Sequence, residues 1–354
     1  MLLQQSLIGN SRAGQEQFEE VVRSRQMANN QERMHAQIIR ANGQMVANDG
    51  LVPRDLYQEF DKVGVERMRL DDGDAYLNDL LPLSRSVSIG KLVHKFRQVS
   101  DSGRAQTSMS GQIGIQMDQT EVTYDGSIVP IHDTGFGRGF REWNAQNSEG
   151  YDALVDDQRE SIATLKQKLA DNFLDGHRDK QGNFLVVDAL SWQGMRNDSR
   201  VIQVDLGAGG VNFDFTDTAQ TYAAIELNFK EIRDTALINN KCNKELTYYV
   251  SLEIASNFER NSSESYSSEK VMKRLAQLIG VKDIKPSSKL SGNELMAFPL
   301  DSSVIRPIVG MGLNTVAMPR PLYNSNYDFA VWGAIGFEVR TDYFGNSCVL
   351  FAQA

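Results

Sequence analysis

The sequence is short of the residues that mark secreted, membrane and zinc-binding proteins. It has two cysteines in 354 residues, Cys242 in a polar stretch and Cys348 in an apolar one. Two are too few for a disulfide framework or a zinc site, and they predict reduced thiols in a reducing cytoplasm. No apolar run approaches the ~18 residues of a membrane span, and the first residues lack the basic and apolar regions of a signal peptide. We therefore expect a chain that is neither secreted nor embedded in a membrane.

An excess of basic charge is also absent. The formal net charge is −9 at pH 7, whereas proteins that grip nucleic acid neutralise phosphates with Lys and Arg. A broad basic binding face is therefore not expected. A container for DNA stays compatible, because a weakly acidic or neutral wall lets the enclosed DNA move. Hydrophobic residues (41%) and charged residues (23%) are close to the globular average, and the length allows two domains of ordinary size.

Cofactor motifs are weak in this sequence. Residues 207–210 (Gly-Ala-Gly-Gly) follow a strand-like stretch, but Asn212 occupies the third glycine position of a dinucleotide-binding turn and no helix is predicted after it. We interpret them as a loop. Residues 135–140 are interpreted as a flexible junction, because they lack the Lys-Ser/Thr of a phosphate-binding loop. Residues 71–74 (Asp-Asp-Gly-Asp) lack the twelfth-position Glu of a calcium loop and are interpreted as an acidic turn.

Catalytic constellations are equally weak. The histidines show no metal-ligand spacing and are interpreted as surface or junction residues; they are His35, His94, His132 and His177. Asp156, Asp157 and Glu160 lie on a predicted helix away from its apolar stripe, which favours a solvated or interfacial face over a catalytic pair. The sequence therefore predicts no catalytic, cofactor-binding or metal-binding residue, and a protein that is not an enzyme. The alternative from another class is a cytoplasmic α+β hydrolase whose site is assembled from distant residues.

The first half of the chain contains a polar arm, a hairpin and a long helix. Residues 14–48 predict a helical arm with so narrow an apolar stripe that it either frays or lies on a neighbouring subunit. Residues 91–124 alternate at period two, most clearly at Ile113, Ile115 and Met117, and predict a long hairpin with a Gly/Ser-rich tip. Residues 151–173 carry apolar side chains at steps of three and four and predict a helix that Gly176 ends.

The second half predicts a mixed domain followed by sheet. A second helix is predicted over 222–236 with Asp217 as its cap, then a half-buried strand over 246–254 and a short helix over 271–278. Residues 329–339 alternate at period two and predict a strand, after which a turn at Gly345 returns the chain. The fold class is therefore α+β, with a largely antiparallel sheet and without internal repeats.

Three stretches look like capsid sequences of tailed bacteriophages. They are residues 79–83 (Asp-Leu-Leu-Pro-Leu) leading to 87–90 (Val-Ser-Ile-Gly), residues 127–131 (Ser-Ile-Val-Pro-Ile), and residues 329–345, which begin Phe-Ala-Val-Trp-Gly-Ala-Ile-Gly-Phe. Together with the order of the parts, they make the chain resemble the capsid fold shared by tailed phages and encapsulins, the Hong Kong ninety-seven type. The resemblance covers nearly the whole chain. It rests on the order of the predicted elements and on the general character of these stretches, because none of them is a catalytic signature.

The resemblance implies a domain organisation and a function. The implied parts are an N-terminal arm (1–60), the start of a peripheral domain (61–86), an extended loop that laps a neighbour (87–130), the peripheral domain (131–189) with its spine helix (149–176), an axial domain (190–325), and C-terminal strands that return to the peripheral sheet (326–354). The implied function is that of a major capsid protein, which self-assembles into pentamers and hexamers of an icosahedral head around double-stranded DNA.

The resemblance also implies partners and a location. The partners would be further copies of the chain, a portal protein, scaffolding or decoration proteins, and packaged DNA held without sequence specificity, with no cofactor and no membrane. The location would be the virion capsid, after assembly in the host bacterial cytoplasm. Some relatives join a loop lysine to an asparagine on another subunit; Lys91, Lys95, Asn324 and Asn326 are conceivable partners here, although solvated residues are the favoured interpretation. An encapsulin-like compartment shell is the nearest alternative, and the long polar arm favours the phage interpretation over it.

Overall fold

The computed structural model describes most of the chain beyond residue 73 and a small part of the arm. The described residues are 22–27, 29–30, 33–34, 74–103, 105, 107, 109, 114, 117–148, 153–262, 269–322 and 324–354. The chain divides into two compact units, residues 1–66 and residues 67–354. In the first unit the described residues are helical and mostly exposed, as predicted for the arm. The predicted strand positions Ile113 and Ile115 lie outside the described residues.

The second unit is α+β, as predicted. Its helices are α1 (Asp74–Leu80), α2 (Phe140–Ser148), α3 (Ala153–Asp175), α4 (Tyr222–Asp234), α5 (Leu252–Phe258) and α6 (Val271–Ala276). Its strands are β1 (Arg85–Ser86), β2 (Val93–Val99), β3 (Val122–Ile128), β4 (Ile131–Arg138), β5 (Ile202–Asp205), β6 (Leu246–Val250), β7 (Val281–Pro286), β8 (Leu295–Phe298), β9 (Ile305–Ala317), β10 (Tyr327–Val339) and β11 (Leu350–Gln353).

A four-stranded sheet with the order β1-β9-β10-β4 carries the long helix α3. The apolar stripe of α3 is buried at Leu165 and Leu169, which is why a helix of this periodicity forms here. The one polar position in the stripe, Gln158, donates from Nε2 to Thr315 Oγ1 of β9 at 3.0 Å. Gly176 follows the helix with φ = +84°, a conformation that glycine adopts without strain. The predicted helix is therefore confirmed.

A five-stranded mixed sheet has the order β5-β11-β8-β6-β7. Strand β6, which lies between β8 and β7, is buried at every position, so its side chains do not show the half-buried pattern that was predicted. The last strand, β11, pairs parallel with β5 and antiparallel with β8. Of the two C-terminal strands, β10 joins the four-stranded sheet and β11 joins the five-stranded one.

Two large hydrophobic clusters hold this unit together. The first lies between α4, α5, α6 and the five-stranded sheet. The second is rich in aromatic rings and connects α1 and α3 with both sheets. Phe173 of α3 lies near its centre, with ring centroids 5.2 Å from Tyr76, 6.0 Å from Trp192 and 5.1 Å from Phe337. Edge-to-face and offset aromatic pairs of this kind fix one packing arrangement, so the end of α3 is held tightly between the sheets.

Two predicted boundaries differ from the structure for local reasons. Helix α4 is capped by Thr221, whose side chain accepts from Ala224 N at 3.3 Å, while Asp217 caps a separate turn just before it. The strand predicted over 246–254 stops at Val250, because Ser251 caps α5 by accepting from Ile254 N at 3.2 Å. In both places a hydroxyl side chain satisfies a helix N-terminus that hydrophobic periodicity alone does not reveal.

The two cysteines form a disulfide, so the prediction of two reduced thiols is wrong. Cys242 and Cys348 lie 106 residues apart, and the fold brings their Cα atoms to 5.3 Å. Cys242 packs in the first hydrophobic cluster, and Cys348 packs against both clusters. Counting cysteines excludes a framework of several bridges, but it does not show that two distant cysteines become neighbours in space.

Candidate assembly interface

The β2–β3 hairpin is a two-stranded antiparallel unit with two distinct faces. His94 pairs with Ser127 and Gln98 with Thr123. Because successive side chains of a strand point to opposite faces, these four residues share one face. The predicted second strand begins later than its periodicity suggested, since Met117 lies outside β3.

The first face of the hairpin lies against the chain segment that ends β10. Gln98 Nε2 donates to Thr341 O at 3.1 Å and to Thr341 Oγ1 at 2.8 Å. Phe96 is buried, and the Arg340 guanidinium lies 4.8 Å from its ring centroid. A second region of the molecule also holds the hairpin, as Arg200 Nη1 donates to Gly126 O at 2.8 Å. The base of the hairpin is therefore fixed to the body of the second unit.

A fully buried carboxylate, Glu338, lies at the centre of this contact. Its side chain is 0% exposed, and His94 Nδ1 lies 2.6 Å from Oε2. Arg306 donates from Nε to Oε1 at 3.0 Å, and Arg340 Nε lies 3.3 Å from the same oxygen. Burial, then repulsion from Arg306, lowers the pKa of Arg340. A buried charge needs partners, and here two guanidinium groups and one imidazole surround one carboxylate.

The second face of the hairpin is exposed and partly apolar. Val99 and Val122 pair directly and are 43% and 41% exposed, while Tyr124 is 69% exposed beside the exposed Arg97. Contiguous exposed apolar side chains with an aromatic residue and an arginine are typical of protein–protein contacts. We call Arg97, Val99, Val122 and Tyr124 the hairpin patch.

Besides the hairpin patch, an exposed surface lies on the four-stranded sheet, on the side away from α3. Trp332 lies in register with Asp133 on β4 and Asn314 on β9. Ile131 and Val316 on the same sheet are 57% and 44% exposed. This surface combines apolar side chains with an acidic one, whereas the hairpin patch combines apolar side chains with a basic one.

The histidines are partly brought together by the fold. His94 binds Glu338, and His35 lies outside the described residues. The ring centroids of His132 and His177 lie 5.4 Å apart. The two residues are 45 positions apart in the sequence, and no motif predicted that they would be neighbours. Burial lowers the pKa of both rings, more strongly for His177, which is 1% exposed. Among the described residues, no three His, Cys, Asp or Glu side chains are placed to hold a metal ion.

The glycine-rich stretches have structural roles. Residues 207–210 form a turn after β5, in which Asp205 Oδ1 accepts from Gly207 N at 2.7 Å, so the loop interpretation is confirmed. The interpretation of residues 135–140 as a flexible junction is wrong, because 135–138 belong to β4 and pair with β10. Of the acidic turn predicted at 71–74, only Asp74 is described, and it begins α1.

The carboxylates on α3 are engaged in structural contacts. Asp157 accepts from Arg138 Nε at 2.6 Å and from Nη2 at 2.9 Å, and Arg138 also donates to Glu142 at 2.6 Å. The hydrogen bond with Asp157, followed by that with Glu142, raises the pKa of Arg138. Asp156 and Glu160 also have interaction partners. The Arg138 contacts therefore join the end of β4 to α2 and α3 within one chain.

The proposed cross-linking residues lie on the surface. Lys91, Asn324 and Asn326 are exposed, and Lys95 pairs with the exposed Asp188. These environments are those of ordinary solvated residues. Within the described part of the chain, no helix is both long and apolar enough to cross a membrane.

The order and pairing of these elements define the capsid fold of tailed phages. The capsid protein of Myoviridae phage XM1 is similar with a TM-score of 0.65 at 9% identity, over 86% of this chain and 99% of that one. The capsid protein of Ralstonia phage GP4 gives 0.55 at 10% identity, over 87% and 97%. The capsid of the native GTA particle gives 0.53 at 11% identity, over 87% and 99%. The fold expected from the sequence resemblance is confirmed.

The chain belongs to the family of unknown function DUF6260, whose model matches residues 44–352. None of the curated proteins matches the chain by sequence.

Proposed function

We propose that this chain is a major capsid protein, which self-assembles into pentamers and hexamers of an icosahedral head around double-stranded DNA. The observation that carries the proposal is the likeness of fold over 86–87% of the chain to capsid proteins that are matched over nearly their whole length. The hairpin patch, and the exposed Ile131 and Val316 on the sheet face that also carries the half-buried Trp332, supply two different apolar surfaces for contacts between subunits.

Two different surfaces on one chain favour ring formation. A contact between unlike surfaces is head-to-tail, and it closes into a ring when the rotation between subunits fits. Each contact can be weak, because symmetry repeats it many times and the closed shell dissociates only when many contacts break together. The domain boundaries at 60, 86, 130, 189 and 325 belong to this proposal.

The proposed partners follow from the same role. Copies of the chain would form the shell, with a portal protein at one vertex and scaffolding or decoration proteins where assembly needs them. Packaged DNA would be held without sequence specificity, and the net charge of −9 suits a wall that does not bind it tightly. The location would be the virion capsid, after assembly in the host cytoplasm.

Negative-stain microscopy and sedimentation of the purified protein test the proposal. We expect closed shells or capsomers. Tyr124→Asp places a charge in the hairpin patch and should shift the protein to small species with an unchanged circular dichroism spectrum. Tyr124→Phe keeps the ring at the same position and should assemble normally.

A stable, monodisperse monomer at high concentration would contradict the capsid function. Shells that enclose protein cargo in place of DNA would support an encapsulin-like compartment instead. Normal assembly of Tyr124→Asp would show that the hairpin patch is not a subunit contact.

A further inference from the structure

A wholly buried charge, Glu338, lies where the base of the β2–β3 hairpin meets the sheet. We propose that Glu338 is the positioning residue that holds this hairpin in place and sets the direction in which it reaches a neighbouring subunit. The second half of this statement rests on the proposed function, whereas the first half concerns the chain alone.

Glu338 joins three separate parts of the second unit. Its Oε2 faces His94 of β2 at 2.6 Å, and its Oε1 accepts from Arg306 of β9 at 3.0 Å. Arg340, just beyond β10, lies 3.3 Å from Oε1. An ionised carboxylate only accepts hydrogen bonds, so His94 Nδ1 must carry the proton that points at Oε2. The His94 bond therefore connects the hairpin to a carboxylate whose other oxygen belongs to the sheet.

Other links also join the hairpin to the body. Arg200 Nη1 donates to Gly126 O at 2.8 Å and lies 3.8 Å from Asp125 Oδ1. Ser127 Oγ donates to Phe337 O at 2.5 Å, and Gln98 Nε2 donates to Thr341; both are bonds to neutral acceptors. Lys95 and Asp188 form an ion pair, but their side chains are 48% and 62% exposed, so water and salt screen it. The His94–Glu338 bond differs from these links because it joins an imidazole to a carboxylate that is wholly buried, where a charge-assisted hydrogen bond is little screened.

The partners of the Glu338 carboxylate belong to different parts of the unit: the two arginines lie in or next to the sheet, and His94 lies in the hairpin. Arg306 and Glu338 face each other across the β9–β10 pair, and this ion pair stays within the sheet. His94 adds only a connection to the hairpin. Removing His94 should therefore loosen the hairpin while the buried Glu338 keeps its two guanidinium partners. That separation allows positioning to be distinguished from general stability.

Hydrogen–deuterium exchange with mass spectrometry measures this loosening in the full-length soluble protein. We expect His94→Ala to speed exchange in peptides from β2 and β3 by about tenfold or more, as loss of one charge-assisted hydrogen bond predicts. Peptides from β9, β10 and α6 should keep their wild-type exchange. His94→Gln, whose amide can still donate to Oε2, should restore most of the protection. Lys91→Ala, an exposed basic residue two positions before β2, is the control and should change nothing.

The outcomes separate this inference from the proposed function. Unchanged hairpin exchange in His94→Ala would overturn the positioning role, and so would equal acceleration throughout β9 and β10. Glu338→Gln should act in the same direction as His94→Ala; if it does not fold, the two His94 variants decide. The yield of closed shells should fall in His94→Ala and recover in His94→Gln. Faster hairpin exchange with an undiminished yield would leave the positioning role standing and overturn the part of the hairpin in assembly.

Discussion

The Cys242–Cys348 disulfide should contribute measurably to the stability of the second unit. The bond joins residues 106 positions apart, so breaking it frees a long loop in the unfolded chain. Loop-closure entropy for a separation of this size corresponds to about 5 kcal/mol, and measured effects of disulfides are commonly about 2–4 kcal/mol. We therefore expect reduction to lower the free energy of unfolding by about 2–5 kcal/mol, with the cost of burying two thiols being small because both sites are apolar.

Urea titration of the purified protein, followed by circular dichroism with and without reductant, measures this difference. The midpoint should move to lower urea when reductant is present. The double variant Cys242→Ala/Cys348→Ala is the matched control, because its midpoint should not respond to reductant. Superimposed curves for the wild-type protein would refute the reasoning. Alkylation of two thiols in the unfolded protein without prior reduction would show that the bond does not form.

Three further predictions concern the core, pH and close packing. Leu165→Asp should prevent soluble expression, because it buries an unpaired charge at a cost of about 3–5 kcal/mol. Thr164→Asp, on the exposed side of the same helix, should express normally. The stability of the folded state should fall as pH drops below about 6.5. Because the pKa of His177 is lowered in the folded state, that state binds fewer protons than the unfolded one. His177→Phe should flatten this pH dependence in thermal melts between pH 7 and 5. Gly336→Ala should destabilise by about 2 kcal/mol or more, since its Cβ would lie 2.1 Å from a backbone oxygen of β3, while Gly312→Ala, which has open space, should melt like the wild type.

The sequence by itself determined the elements whose signal is local. Helix α3 and strand β10 each carry a hydrophobic repeat of their own period over a dozen or more residues, and burial of one face is enough to fix them. The α+β class and the order of arm, hairpin, long helix and sheet follow from such repeats. The sequence could also exclude the common catalytic motifs, because these need particular residues at short spacings.

Only the tertiary structure decided the contacts between distant residues. His94 and Glu338 are 244 positions apart, and Cys242 and Cys348 are 106 apart. Within β10, Glu338 occupies the face opposite the strand's apolar repeat, where a charged residue normally predicts solvent. The hairpin covers that face in the fold, so a position that the sequence pattern predicts to be exposed holds a wholly buried charge. The same reason applies to β11, whose three apolar residues (Leu350, Phe351 and Ala352) fit either sheet until the path of the chain after β10 selects one.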